Sequence, residues 1–233
     1  QKYHGIFKIF SNEKNIGYTK NFEKAIGLCS GDLIFLCDQD DIWYSNKIEN
    51  QMDSIINLGY HLDEKPLVVF HDLCLIDQND TVTNKSFWEL HKFNPHNFTF
   101  KKSLVFNIVT GCTCIINKRM KEEMIKSDMK DIIMHDYLIA LIGYGFGNTI
   151  YINEPLMYYR SNFDTVTKKE TITITNRLQS FISRVNSGNY LMPNILQIQK
   201  FNELYGNNLD GYRKKMVDHF VPLKDKKKIK RIL

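Results

Sequence analysis

The chain has 233 residues, 43% of them hydrophobic and 24% charged, with a formal net charge of +5. Such a length forms one large domain, or one domain with an appendage. The charge excess sits in Lys224-Asp225-Lys226-Lys227-Lys228-Ile229-Lys230-Arg231, six cations against one acid, so the body is near neutral and a broad nucleic-acid-binding face is not expected.

In chain order, Ile6 to Phe10 forms a brief apolar run that predicts a short strand. From Asn21 to Cys29, Phe22, Ala25, Ile26 and Cys29 recur at helical spacing, and Ser30-Gly31 stops the helix. Leu33 to Cys37 is a continuous apolar run, the pattern of a strand covered on both faces. It ends in Asp38-Gln39-Asp40-Asp41. An amphipathic helix is predicted next, with Ile48, Met52, Ile55 and Ile56 on its apolar stripe.

Leu67 to Phe70 reads as another buried strand, ending at the polar pair His71-Asp72. Phe106 to Asn117 reads as strand with a break at Gly111. Helices are predicted near residues 119–127 and 136–144, and a strand over Thr149 to Tyr159 with a break or edge at Pro155. Strands alternating with helices indicate an α/β architecture. From Thr175 onward the pattern is helical, with Leu178, Phe181, Ile182 and Val185, then Ile195, Ile198, Phe201 and Tyr205. A division into residues 1–165 and a helical extension, 166–233, follows.

The five cysteines, Cys29, Cys37, Cys74, Cys112 and Cys114, lie in apolar stretches, and their odd count suggests reduced, buried thiols in a cytosolic protein. No signal peptide is visible, and the longest apolar window, Tyr137 to Phe146, is too short to span a bilayer. The basic tail suits an anionic membrane surface, gaining about 1 kcal/mol per cation, or is a solvated chain end. The expected location is cytoplasmic, with peripheral attachment at the inner face of the plasma membrane if the tail binds lipid.

Asp38, Asp40 and Asp41 fall where an apolar strand runs out. In open α/β sheets that is where ligands bind. Hard cations such as Mg²⁺ or Mn²⁺ take oxygen ligands and share them with substrate phosphates. The alternative is a helix cap and two solvated acids, although three acids in four residues repel and a cap needs one.

The blocks Asn15-Ile16-Gly17-Tyr18-Thr19-Lys20-Asn21, Gly31-Asp32 and Leu36-Cys37-Asp38-Gln39-Asp40-Asp41-Ile42-Trp43 with Lys47 resemble the family 2 glycosyltransferases of GT-A fold, in particular the rhamnosyltransferase-like branch. Further blocks follow in order: Phe70-His71-Asp72, Val109-Thr110-Gly111-Cys112-Thr113, Met134-His135-Asp136-Tyr137, Pro155-Leu156 and Tyr159-Arg160. The resemblance spans residues 12 to 165. It implies a GT-A (Rossmann-like) domain and an inverting transfer of a sugar, rhamnose among the options. The donor would be a nucleotide-diphosphate sugar and the acceptor a growing cell-surface glycan or lipid-linked saccharide.

By the same resemblance Asp38 and Asp40 hold the divalent metal, Mg²⁺ or Mn²⁺, on the donor diphosphate. Asp41 touches the donor sugar or supports the loop, and Asp136 is the general base, or else a helix cap. Asn15, Gly17 and Asn21 match the segment near the nucleotide; for Asn21 capping is an equal reading. Asp72 is an acceptor-side or a structural acid, Trp43 a sugar-stacking or a core residue, and His135 falls on the substrate side. Arg160 is a cation near the diphosphate or half of a surface salt bridge. Two departures stand out. Ser161-Asn162-Phe163-Asp164 follows Arg160 where a histidine is common, with Asp164 as a substitute ligand. The leading strands of the fold are also missing, so the domain reads as amino-terminally incomplete. That keeps open a catalytically inactive nucleotide-sugar or glycan-binding remnant.

Overall fold

A computed structural model describes residues 6–59, 64–126, 132–160 and 192–224. Six strands form one mixed sheet: β1 (Leu33–Phe35), β2 (Ile42–Trp43), β3 (Leu67–Ile76), β4 (Val82–Asn84), β5 (Ile115–Asn117) and β6 (Asn148–Arg160). Their order is β1-β5-β3-β6-β2, with β4 pairing on β3. β3 and β6 run parallel, and the other pairings are antiparallel. Among the described residues the helices are α1 (Tyr18–Leu28), α2 (Lys47–Asn57), α3 (Phe87–His91), α4 (Phe100–Ser103), α5 (Lys118–Lys126), α6 (His135–Gly145), α7 (Met192–Tyr205) and α8 (Gly211–Phe220). The chain is thus a mixed α/β structure with a helical C-terminal region.

All ten residues of β3 are buried. Val68 and Phe70 face the larger core, with Ile139 and Ile142 of α6, while Leu67 and Val69 face a second cluster with Ile55 of α2. Covering both faces is what a continuous apolar strand requires. The strand does not stop at His71-Asp72 as the sequence pattern predicts. Both residues are buried within it, because each has hydrogen-bond partners in the interior.

α6 is apolar on nearly every face, and from Leu138 to Ile142 each side chain is 0% exposed; such a helix belongs inside a protein. Ile195, Ile198, Phe201 and Tyr205 of α7 are buried at the expected spacing, and Phe201 packs at Gly145, the end of α6.

Four further expectations change. Residues 6–10 form no strand, and Ile6, Phe7, Ile9 and Phe10 are exposed. α2 turns a different face inward: Lys47, Gln51 and Ile55 are buried, whereas Ile48 and Ile56 are 50% and 67% exposed. The strand expected over 106–117 shrinks to β5, preceded by a 3₁₀ turn at Gly111–Thr113. Cys37 is exposed and Cys29 half-buried, so burial holds only for Cys74, Cys112 and Cys114; all five thiols are free.

Pro155 does mark an irregularity. β3 pairs His71 with Ile152 but Asp72 with Pro155, so Asn153 and Glu154 bulge outward. Among the described residues no helix is long and apolar enough to cross a membrane. The pattern at 178–185, Asn162, Asp164, the 165/166 division and the tail beyond Lys224 lie outside the described residues.

Candidate active site

The acidic loop is placed by the sheet. β1 pairs antiparallel with β5, Phe35 opposite Ile115, and Leu36 N–H donates to the Cys114 carbonyl at 3.0 Å. One or two residues further, the chain must lie beside Cys112. One oxygen each from Asp38 and Asp41 and the Cys112 sulfur all fall within 4.8 Å of one another. This is the group that the described residues offer for a metal ion, and it brings in Asp41 and Cys112 without Asp40. Asp40 is tied to the same loop, its carboxylate accepting from Gln39 Nε2 at 3.4 Å.

Neither Asp41 oxygen meets a hydrogen-bond donor, although both are shielded from solvent. Burial lifts its pKa from 3.8 to about 6, with the charges of Asp38 and Asp40 adding to the rise. The Cys112 thiol pulls it back, without reaching either oxygen at hydrogen-bond distance. Asp38 is raised too, by burial first and by Asp40 second. Two or three carboxylates crowded at partial burial, one of them with no donor, suit a hard divalent cation. The Cys112 thiol suits it poorly: burial holds it protonated, well above its ordinary pKa of 9.0, and a hard ion prefers oxygen.

On the other side of the Gly111–Thr113 turn lies the start of α6. Asp136 occupies the first helical turn, is 9% exposed, and has no partner at Oδ1. Burial raises its pKa from 3.8 to about 6; the backbone N–H groups of Tyr137 and Gly111 oppose the rise, and the Asp38 charge adds to it. That coupling puts Asp136 and the acidic loop in one electrostatic site. His135 is 6% exposed, with neither ring nitrogen hydrogen-bonded. Burial lowers its pKa to about 4, so the ring is neutral at pH 7. It stacks on Phe22 at 4.0 Å and 15°. Gly111 lies close opposite: a Cβ there would stand 2.7 Å from His135 Nε2, so the ring would have to shift.

α1 reaches the same end of the molecule. Asn15 Oδ1 accepts the Gly17 N–H at 2.8 Å, a local turn that Gly17 completes at φ 79°. Tyr18 and Thr19 hydroxyls donate to the Ile133 carbonyl, just ahead of α6. Asn21 accepts from Asn12 Nδ2 at 2.9 Å. Tyr18, Thr19 and Phe22 thus tie α1 to the start of α6, while the side-chain bonds of Asn15 and Asn21 stay local to Gly17 and Asn12.

Arg160 sits at the end of β6. The bulge before Pro155 re-aims that strand so that Tyr158 and Met157 pair with Ile42 and Trp43. Its guanidinium donates to the carbonyls of Asp40 (3.3 Å) and Asp77 (2.9 Å) and pairs with Asp80 at 2.6 Å. It thus braces the acidic loop against the turn between β3 and β4.

Asp72 engages its carboxylate in hydrogen bonds within the core. It is 4% exposed; Oδ1 accepts the Leu73 and Trp88 N–H groups at 2.7 and 3.0 Å, and Oδ2 accepts the Ser86 hydroxyl. The carboxylate is occupied in fastening α3 to β3. Trp43 is half-buried with its indole N–H unpartnered, and Lys47 Nζ stands 4.6 Å from the centre of its ring.

The residue patterns did not disclose Cys112, Lys47, His71 or Gln51 as parts of the site. Lys47 is 1% exposed and donates to His71 Nε2 at 2.8 Å, the Cys112 carbonyl at 3.0 Å and Met157 Sδ at 3.5 Å. His71 Nδ1–H donates to the Asp72 carbonyl at 2.6 Å. That tautomer leaves Nε2 as the acceptor, and burial together with the Lys47 charge lowers the pKa of His71 to about 3. Desolvation lowers that of Lys47 to about 8. The available signal was the spacing 47, 51, 55, which puts a lysine and a glutamine on the stripe of Ile55.

A search of curated proteins returned no match to this chain. The sequence model described as Glycosyl transferase family 2 matches residues 1–122, over half the chain, taking in α1, the acidic loop and the Gly111–Thr113 turn. The chain belongs to glycosyl transferase family 2.

Proposed function

We propose that the chain is a metal-dependent, inverting glycosyltransferase that moves a sugar from a nucleotide-diphosphate donor to a saccharide acceptor of a cell-surface glycan. The observation that carries the reading is one pairing. A buried carboxylate with an unpartnered oxygen, Asp136, lies within reach of the Asp38 charge in a loop of crowded acids, of which Asp41 lacks a hydrogen-bond donor. Family membership supplies the transferase class.

Asp38 and Asp40 would hold Mg²⁺ or Mn²⁺ in this reading, with Asp41, which lies within 4.8 Å of Asp38, as a further oxygen ligand. A divalent cation bound there would offset charge developing on the departing nucleoside diphosphate, a contribution of several kcal/mol. Asp136, deprotonated above pH 6, accepts the proton of the acceptor hydroxyl at Oδ1. The oxygen bonds to the anomeric carbon as the bond from that carbon to the diphosphate breaks, which inverts the centre. His135, neutral, stands beside Asp136 with both ring nitrogens unpartnered and belongs to the substrate side in this reading. Trp43 offers its ring to a sugar face, and Phe22 holds the His135 ring. Asn15, Gly17 and Asn21 serve the nucleotide, and Arg160 fixes the loop beside the diphosphate. Rhamnose is the favoured sugar, on the Asp-Gln-Asp-Asp-Ile-Trp string alone.

The test is donor turnover by the full chain with UDP-glucose, GDP-mannose and dTDP-rhamnose, with Mn²⁺ and with a chelator. Turnover that needs the metal and disappears in Asp136→Asn supports the reading. Binding of donor with no turnover would favour a catalytically inactive nucleotide-sugar-binding module instead.

A further inference from the structure

We infer that the buried edge of α2, Lys47 with Gln51, is a positioning device that holds the Gly111–Thr113 turn and so sets the spacing between the acidic loop and Asp136. Its catalytic consequence rests on the glycosyltransferase reading.

Lys47 and Gln51 are 1% and 0% exposed, while Ile48 and Ile56 of the same helix face solvent. Turning an ammonium and an amide inward is costly unless their donors are used. Here all three ammonium donors have acceptors, and Gln51 Nε2 donates to the Thr113 carbonyl at 2.9 Å. One helical turn apart, the two side chains thus take consecutive carbonyls, Cys112 and Thr113.

The turn is also bonded within itself. Thr113 N–H and Oγ1–H donate to the Thr110 carbonyl, and Cys114 N–H to the Gly111 carbonyl. It therefore moves as a unit. One end presents the Cys112 side chain to Asp38 and Asp41; the other presents the bare Cα of Gly111 to His135 and Asp136. Displacing the turn shifts the His135–Asp136 half relative to the acidic loop, which β1 and Arg160 hold. The clamp is itself anchored, since Lys47 also bonds His71, which is fixed within β3 through the Asp72 carbonyl.

Two near-isosteric substitutions test this, Gln51→Leu and Lys47→Met. Gln51→Leu changes no charge, so it remains informative if Lys47→Met fails to fold. Amide hydrogen exchange on the full chain should be about 10-fold faster in peptides covering 110–114 and the first turn of α6, with α2 unchanged. With whichever donor the wild type turns over, kcat should fall roughly 10- to 100-fold. The Kd for UDP with Mn²⁺, by calorimetry, should stay within about threefold, because the acidic loop keeps its own anchors. Unchanged exchange at 110–114, or a rise confined to α2, overturns the inference; so does a wild-type kcat in an active enzyme. If the wild type turns over none of the donors, the glycosyltransferase reading fails instead, and the exchange result alone decides the positioning claim.

Discussion

Asp136 carries a stability penalty that its proposed role explains. Burial moves its pKa from 3.8 to about 6, even with backbone N–H groups favouring the charge. At about 1.4 kcal/mol per pH unit, ionised Asp136 destabilises the native chain by about 3 kcal/mol at pH 7. The native state binds this proton more tightly than the unfolded state does. Stability from this group therefore falls as pH rises from about 4 to about 6 and stays low above that.

Asp136→Asn never ionises, so its advantage over the wild type should be near zero at about pH 4 and about 3 kcal/mol at about pH 7. In a chain this size that is a Tm gain of roughly 6–10 °C. Urea melts of both proteins at the two pH values, with donor turnover alongside, measure it. The variant should be the more stable protein and lose roughly 10²- to 10⁴-fold in kcat. A variant that is less stable at pH 7, an advantage equal at both pH values, or retained activity would refute the reasoning.

Wild-type kcat/KM should rise with pH to a plateau with a midpoint near 6, since burial raises Asp136 and Asp41 alike; a flat profile from pH 5 to pH 8 contradicts this. Gly111→Ala should lower kcat by about 100-fold and stability by roughly 1–3 kcal/mol. Its Cβ would meet His135 Nε2 at 2.7 Å, and His135 is held by Phe22; turnover within twofold of wild type would show that the ring can yield. Asp72→Ala strands three donors, Leu73 N–H, Trp88 N–H and Ser86 Oγ–H, and should cost about 3–5 kcal/mol in a urea melt. Turnover per folded molecule should persist, and its loss would return Asp72 to the substrate side.

Much of the frame was legible because periodicity reports burial. Leu33–Phe35, Leu67–Phe70 and the α7 stripe Ile195, Ile198, Phe201 and Tyr205 appear where an apolar pattern predicts them. The acidic loop was legible because a strand of that kind ended in acids. What hydrophobic patterning could not supply were polar residues with interior partners. Lys47 and Gln51 lie off the apolar stripe predicted for their helix and His71-Asp72 read as a strand end, yet each is buried because acceptors or donors await it from elements 24 to 65 positions distant or from adjacent backbone. The exposed Ile48 and Ile56 are the counterpart of that choice. Cys112 read as a small core residue; its burial was foreseeable, but its place against Asp38 and Asp41 depends on the β1–β5 register.

The central claim is that the acidic loop binds a divalent cation for nucleotide-sugar chemistry. Calorimetric titration of Mn²⁺ with UDP into the full chain, wild type beside Asp38→Asn and Asp41→Asn, tests it most directly. The account predicts one site in the wild type, weakened at least about 10-fold in each variant. Equal affinity in all three proteins, or no Mn²⁺-dependent binding in the wild type, would contradict it.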